Sequence, residues 1–193
     1  MQLYNYRILK NHKLSLDNFS LISIDDKTIL KIRQWRNKQI NILRQSKKIS
    51  IKDQEKYFKN EILPDTKIIS PKNIILAFVK SEKLIGYGGL TNICWKSKRA
   101  ELAFLLDNKY AGKVEDSEYF FPIFLKLTKI LAFKILKLKN IWTETYSIRP
   151  QYIKQLELNH YLRTGIVKEK ILIDNKYYDS YFHRLSSKKN SLL

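Results

Sequence analysis

A single cysteine, Cys94, excludes an internal disulfide and a multi-thiolate metal site. Five glycines and four prolines in 193 residues leave no room for collagen-like repeats or long flexible linkers. The three histidines, His12, His160 and His183, are scattered without metal-ligand spacing, so no metal is expected. The opening MQLYNYRILKNHKL lacks the unbroken apolar stretch of a signal peptide, and no run approaches the roughly 20 apolar residues of a membrane helix. Taken with the lone thiol, these absences point to the reducing cytoplasm and to no membrane span.

What is present is a core. Apolar residues make up 44% of the chain and aromatic ones 12%, which suits one compact domain over residues 1–193, with 186–193 expected to fray. The formal charge of +19 raises a nucleic-acid partner as an alternative. That reading is disfavoured, because lysine far outnumbers arginine and is dispersed along the whole chain rather than gathered into a stripe. The same charge attracts any anionic ligand, nucleotides included.

Apolar periodicity divides the chain. Residues 3–9 and 19–24 suit short strands, with 11–17 as their connection. Asp25 and Asp26 can cap a helix in which Ile29, Ile32 and Trp35 recur at helical spacing. A second helix is expected from Ser50, whose partner Asp53 stands in the place of a capping-box glutamate, and Pro64 is expected to stop it. From residue 72 the period changes to that of strands: NIILAFVK, LIGYGGLTNICW and AELAFLL predict an antiparallel meander. A long helix is expected over about 118–138, with Pro122 tolerated in its first turn. Strand NIWTETYSI, a helix opened by Pro150, and a closing hairpin complete a mixed α/β (α+β) order with one sheet flanked by helices.

That order, together with four stretches, resembles the GNAT acyltransferase superfamily over about residues 18–185. The stretches are IRQWRN with Ile49 and Ser50, the pair LIGYGGL and AELAFLLD, the run ILAFKILKLKNIWTET, and the closing hairpin with Tyr178 and Asp179. Within the superfamily the sequence looks most like bacterial N-acetyltransferases of nucleotide-linked amino sugars, and next like ribosomal-protein N-terminal acetyltransferases. The resemblance implies a mostly antiparallel sheet whose strands part after Glu101. It implies acetyl-CoA as co-substrate, its pantetheine arm held by backbone groups of Phe104, Leu105 and Leu106. The family's phosphate-binding loop would correspond to Lys109, Gly112 and Val114, with Lys113 between them. Here the sequence departs from the family pattern, keeping one glycine of two, so the lysines would have to supply charge where backbone approach is reduced.

Acetyl transfer from a thioester needs a close, deprotonated amine and a protonated leaving thiolate. Glu101 is the candidate base; its plainer reading is a strand-end carboxylate paired with Arg99 or a lysine. Tyr152 is the candidate acid, with Tyr146 and Tyr161 as alternatives, since an ordinary phenol is protonated at neutral pH. The resemblance puts Arg149 where family members carry a CoA-contacting asparagine. Arg36 and Asn37 can hold a phosphate or a sugar hydroxyl, or simply close their helix, and Tyr87 can line the acceptor pocket or merely pack on the sheet. The expected acceptor is the primary amine of a small molecule, a nucleotide-linked amino sugar in surface-glycan synthesis, and the protein is expected as a monomer or homodimer. The alternatives are a catalytically degenerate GNAT-shaped protein that binds nucleic acid, and a protein N-terminal acetyltransferase.

Overall fold

A computed structural model describes residues 3–10, 12–43 and 45–190. It contains one eight-stranded sheet. In chain order the strands are β1 (Leu14–Leu16), β2 (Phe19–Ser23), β3 (Ile74–Lys80), β4 (Lys83–Cys94), β5 (Arg99–Leu106), β6 (Asn140–Tyr146), β7 (Leu162–Ile173) and β8 (Lys176–Ser186). They lie in the order β1-β2-β3-β4-β5-β6-β8-β7. Every neighbouring pair is antiparallel except β5 and β6.

The sheet is mixed because β4 returns to β5 through a tight turn, whereas β5 reaches β6 only after a helical excursion. That excursion is α4 (Asn108–Ala111) followed by α5 (Val114–Lys129) and a π-helical continuation, Ile130–Ile135. The remaining helices are α1 (Asp26–Lys38), α2 (Ile51–Tyr57), α3 (Leu63–Lys67) and α6 (Pro150–Leu158). Strand alternation sorts the core into two layers. Ile74, Leu76 and Phe78 of β3 face the α5 side with Phe124 and Leu125, while Ile75, Ala77 and Val79 face α1 with Ile29, Ile32 and Trp35.

Sequence signals at the caps match the coordinates. The Asp25 carboxylate accepts the Thr28 N–H at 2.6 Å, and the Ser50 hydroxyl accepts the Asp53 N–H at 3.0 Å. Four expectations are corrected. Residues 3–9 form no strand: Leu3 makes a single bridge to Asp25, and Arg7–Leu9 is a 3₁₀ turn that buries Leu9. The supposed connection over 11–17 instead contains β1, whose Leu14 is buried. Pro64 does not stop the second helix; α2 passes through a π turn, Phe58–Ile62, into α3, where Pro64 lies in the first turn and its missing N–H costs nothing. The long helix starts at Val114, so Pro122 lies in its interior. The helix persists because the neighbouring Phe121, Phe124 and Leu125 are all buried, and that burial outweighs one lost hydrogen bond.

The tail expected to fray begins with the last residue of β8 and a 3₁₀ turn over Ser187–Asn190, and 191–193 lie outside the described residues. Among the described residues no helix is long and apolar enough to cross a membrane.

Candidate active site

β5 is held tightly on one side and released on the other. A Cβ on Gly88 of β4 would stand 2.2 Å from the Ala103 carbonyl oxygen, so only glycine permits this approach of the two backbones. On the opposite side the parallel pairing with β6 covers only Arg99 with Asn140, Ala100 with Ile141, and Glu101 with Trp142. Beyond that point the strands part. The gap is a cleft of about 320 Å³ lined by β5, β6, the start of α6 and the end of α1.

Alternation fixes which peptide groups face the gap. The Glu101 carbonyl accepts from Thr91 on β4, whereas the Leu102 carbonyl accepts from the Thr143 hydroxyl on β6 at 3.2 Å. The Leu106 carbonyl accepts from the Gln39 amide at 2.9 Å. Even-numbered residues of β5 therefore aim their peptide groups away from β4. Of the three residues expected to grip a pantetheine arm, Phe104 has its N–H and C=O on the open side. Leu105 turns its peptide groups toward β4 opposite Tyr87, and Leu106 lies outside the cleft with its carbonyl used by Gln39.

Glu101 lines the cleft at 3% exposure, so it is not the solvent-facing strand end of its plainer reading. A β-bulge between Thr91 and Cys94 puts Asn92 at φ 49°, and its amide donates to the Glu101 carboxylate at 2.8 Å. Tyr152 of α6 lines the same cleft, 3% exposed, with its hydroxyl buried and without a hydrogen-bond partner among the described residues. The Arg149 guanidinium lies 3.7 Å above the Tyr152 ring, and Phe121 packs against the ring at 4.9 Å. Tyr146 also lines the cleft; Tyr161, the third tyrosine considered as an acid, does not.

On the α1 side, Arg36 donates to the Tyr87 hydroxyl at 3.3 Å and to Gln45 at 3.1 Å, and both Arg36 and Tyr87 line the cleft. Asn37 does not. Its amide donates to the Ile49 carbonyl at 2.8 Å and its oxygen accepts from the Ile49 N–H and from Gln45, so it ties the end of α1 to the following loop.

The loop expected to carry phosphate is folded into a short helix. Lys109 lies in α4, Gly112 ends it at φ −83°, Lys113 precedes α5, and Val114 opens α5 half exposed. None of the four lines the cleft. Gly112 adopts a conformation open to any residue, and a Cβ there would meet nothing within 4 Å. Nor is Val114 strained, since it occupies an ordinary helical position. α5 begins without a side-chain cap, so its first N–H groups stay available to an anion, although Glu115 and Asp116 in the first turn compete electrostatically.

One charged residue of the cleft escaped sequence reasoning. Glu144 on β6 lines the cleft and accepts a short hydrogen bond from the fully buried Ser180 hydroxyl. A carboxylate in the middle of the strand run NIWTETYSI was the available signal, because a charge within a half-buried strand needs a stated partner. No cluster of metal-ligating side chains exists among the described residues.

Comparisons with known proteins place this geometry. No curated protein matches the chain in sequence. Among solved structures, spermidine N-acetyltransferase from Vibrio cholerae in complex with CoA and spermine superposes with a TM-score of 0.78 at 17% identity, covering 90% of this chain and 98% of that one. A dodecameric structure of spermidine N-acetyltransferase from Vibrio cholerae in an intermediate state gives 0.73 at 19%, covering 92% and 98%. At such identities the likeness establishes the fold. The acetyltransferase (GNAT) domain family matches residues 21–182, which include the parted strands and both walls of the cleft. The chain belongs to the GNAT acetyltransferase family and is an acetyl-CoA-dependent N-acetyltransferase.

Proposed function

We propose that the protein acetylates the primary amine of a small anionic acceptor, a nucleotide-linked amino sugar, with Glu101 as proton acceptor and Tyr152 as proton donor. The observation that carries this reading is that one cleft is lined both by Glu101, buried and hydrogen-bonded by Asn92, and by a buried Tyr152 hydroxyl that has no partner among the described residues. An unsatisfied buried hydroxyl costs on the order of 1–3 kcal/mol, and a leaving thiolate at that point would relieve it by accepting its hydrogen bond.

Acetyl-CoA supplies the acyl group as a thioester. The peptide N–H and C=O of Phe104 are the groups on β5 suited to pair with its amide-bearing arm as a neighbouring strand would. Glu101 accepts the proton that the acceptor ammonium must lose before its nitrogen lone pair can form the new C–N bond. As the C–S bond breaks, Tyr152 donates its hydroxyl proton to sulfur. Arg149, stacked on Tyr152, holds that ring in place and brings a positive charge to the cleft mouth. The uncapped N-terminus of α5, with Lys109 and Lys113 beside it, is the part of the chain suited to the pyrophosphate.

Charge supports an anionic acceptor. The solved relatives named above carry spermidine in their names, yet this chain has a formal charge of +19, and Arg36 stands on the acceptor wall of the cleft. The net charge of the whole chain disfavours the approach of a polycation, although Glu101 and Glu144 line the same cleft, and Arg36 offers a nucleotide phosphate a bidentate partner.

The test is thiol release from acetyl-CoA with a panel of amines. Turnover with nucleotide-linked amino sugars well above that with spermidine is expected. A preference for spermidine overturns the acceptor assignment, and turnover undiminished in Glu101→Gln overturns the assigned base.

A further inference from the structure

The end of the sheet away from the cleft mouth brings three loops together. Segment 65–72, the end of α3 and the loop after it, is closed by the Asp65 carboxylate, which accepts the Lys72 N–H at 2.8 Å. It is joined to the β4–β5 turn, because the Ile93 N–H donates to the Lys72 carbonyl and the Trp95 indole donates to the Pro71 carbonyl at 2.8 Å. That turn in turn holds the connection into β6: the N–H groups of Lys139 and Asn140 both donate to the Lys98 carbonyl. The three segments therefore form one surface at the closed end of the V between β5 and β6.

Two features coincide on it. Lys72, Lys96, Lys98, Arg99, Lys137 and Lys139 are all exposed there, and none of them makes an ion pair with a described residue. Asp65 is the sole acidic residue of these segments, and it is 6% exposed with both oxygens occupied by Lys72 and Asn73. Beside the cations, the loop presents two consecutive apolar side chains to solvent, Ile68 at 46% and Ile69 at 66% exposure. Nothing in the fold requires this: both side chains sit outside the two core layers.

We propose that this end of the molecule docks on an anionic lipid surface, with Ile68 and Ile69 entering the interface and the surrounding lysines and Arg99 reading the lipid phosphates. An exposed apolar pair ringed by unpaired cations is the arrangement a peripheral membrane contact needs, because one weak anchor holds only with electrostatic help. Nucleic acid fits less well. A single-stranded nucleic acid calls for exposed aromatic platforms, whereas the aromatic ring of these loops, Trp95, is half buried with its N–H donating to Pro71. The docking surface lies opposite the mouth of the cleft, so an acceptor can enter while the protein is bound.

The experiment is co-sedimentation of the full chain with vesicles at physiological ionic strength, beside binding to a single-stranded RNA oligonucleotide. Binding to equimolar phosphatidylcholine and phosphatidylglycerol, with none to phosphatidylcholine alone, is expected. Lys96→Glu with Lys98→Glu is expected to weaken it by at least about fivefold per charge, and Ile68→Ser with Ile69→Ser by about tenfold. The control pair Lys170→Glu with Lys176→Glu, on the far hairpin, is expected to leave it within about twofold, since charge there is beyond the Debye length of the contact. An acetyl-CoA-dependent rise in melting temperature equal to that of the unaltered protein shows each variant to be folded. Equal losses in both charge pairs, or indifference to the isoleucine changes, overturn the proposal. Tight RNA binding without vesicle binding also overturns it.

Discussion

The Asn92 amide donates to the Glu101 carboxylate at 2.8 Å across the bulge of β4. Asn92 reaches this position because its φ of 49° turns the chain where the ladder slips, and asparagine is among the residues that tolerate that conformation. With Glu101 as the proposed proton acceptor, Asn92 is proposed as the residue that positions it. Asn92→Ala is expected to lower kcat about tenfold while leaving the acetyl-CoA KM unchanged, and Asn92→Asp, which sets two carboxylates together, is expected to be worse. Glu101→Gln is expected to lose about 10²–10⁴-fold in kcat. Steady-state kinetics on the three variants check this.

Tyr152→Phe separates catalysis from stability. Removing a buried hydroxyl without a partner should leave the melting temperature equal or slightly raised, because the desolvated group made no bond to lose. The same change is expected to lower kcat at least about tenfold. A fall in both would mean that the hydroxyl serves packing and not the thiolate.

The two glycines that matter behave oppositely. Gly88→Ala would drive a methyl to 2.2 Å from the Ala103 carbonyl and 2.6 Å from the Phe124 ring, so loss of several kcal/mol or failure to fold is expected. Gly112→Ala meets no atom within 4 Å and has an ordinary φ, so unfolding stability should be unchanged or higher by up to about 1 kcal/mol. If the α4–α5 junction receives the pyrophosphate, Gly112→Ala raises the acetyl-CoA KM without touching stability.

Acid is expected to loosen the packing of α6 on β8. His183 is buried there, 3.4 Å from Glu157, and burial holds its pKa below the ordinary 6.5 despite that carboxylate. A depressed histidine contributes stability that is complete above the unfolded value and is lost as pH falls below it, since the unfolded chain then binds the extra proton. The melting temperature should therefore decline from about pH 6.5 downward, and His183→Gln should flatten that decline.

Much of this was legible in the sequence. The caps at Asp25 and Ser50 and the meander from Ile74 to Leu106 follow from local chemistry, which tertiary contacts leave alone. The parting of β5 from β6 followed from family resemblance, since periodicity says nothing about where a parallel ladder ends. Pro64 and Pro122 misled because a π turn and a deeply packed helix face absorbed a missing donor, and neither has a local signature. Glu144 went unseen because its partner Ser180 lies 36 residues away on β8, a distance that only the folded sheet closes. In the same way, Asn37 reads as a ligand-holding residue by its place after Arg36, while its hydrogen bonds to Ile49 are fixed by a loop whose path the sequence does not reveal.

The slot between β5 and β6 can be addressed by one titration: the melting temperature of the protein against acetyl-CoA concentration. A ligand bound only by the folded chain raises stability by about 2.7 kcal/mol at a hundredfold excess over its Kd, so a rise that continues with the logarithm of concentration is expected, and it should weaken when Phe104→Pro removes the peptide N–H on the open side. A melting curve unmoved by millimolar acetyl-CoA would contradict it.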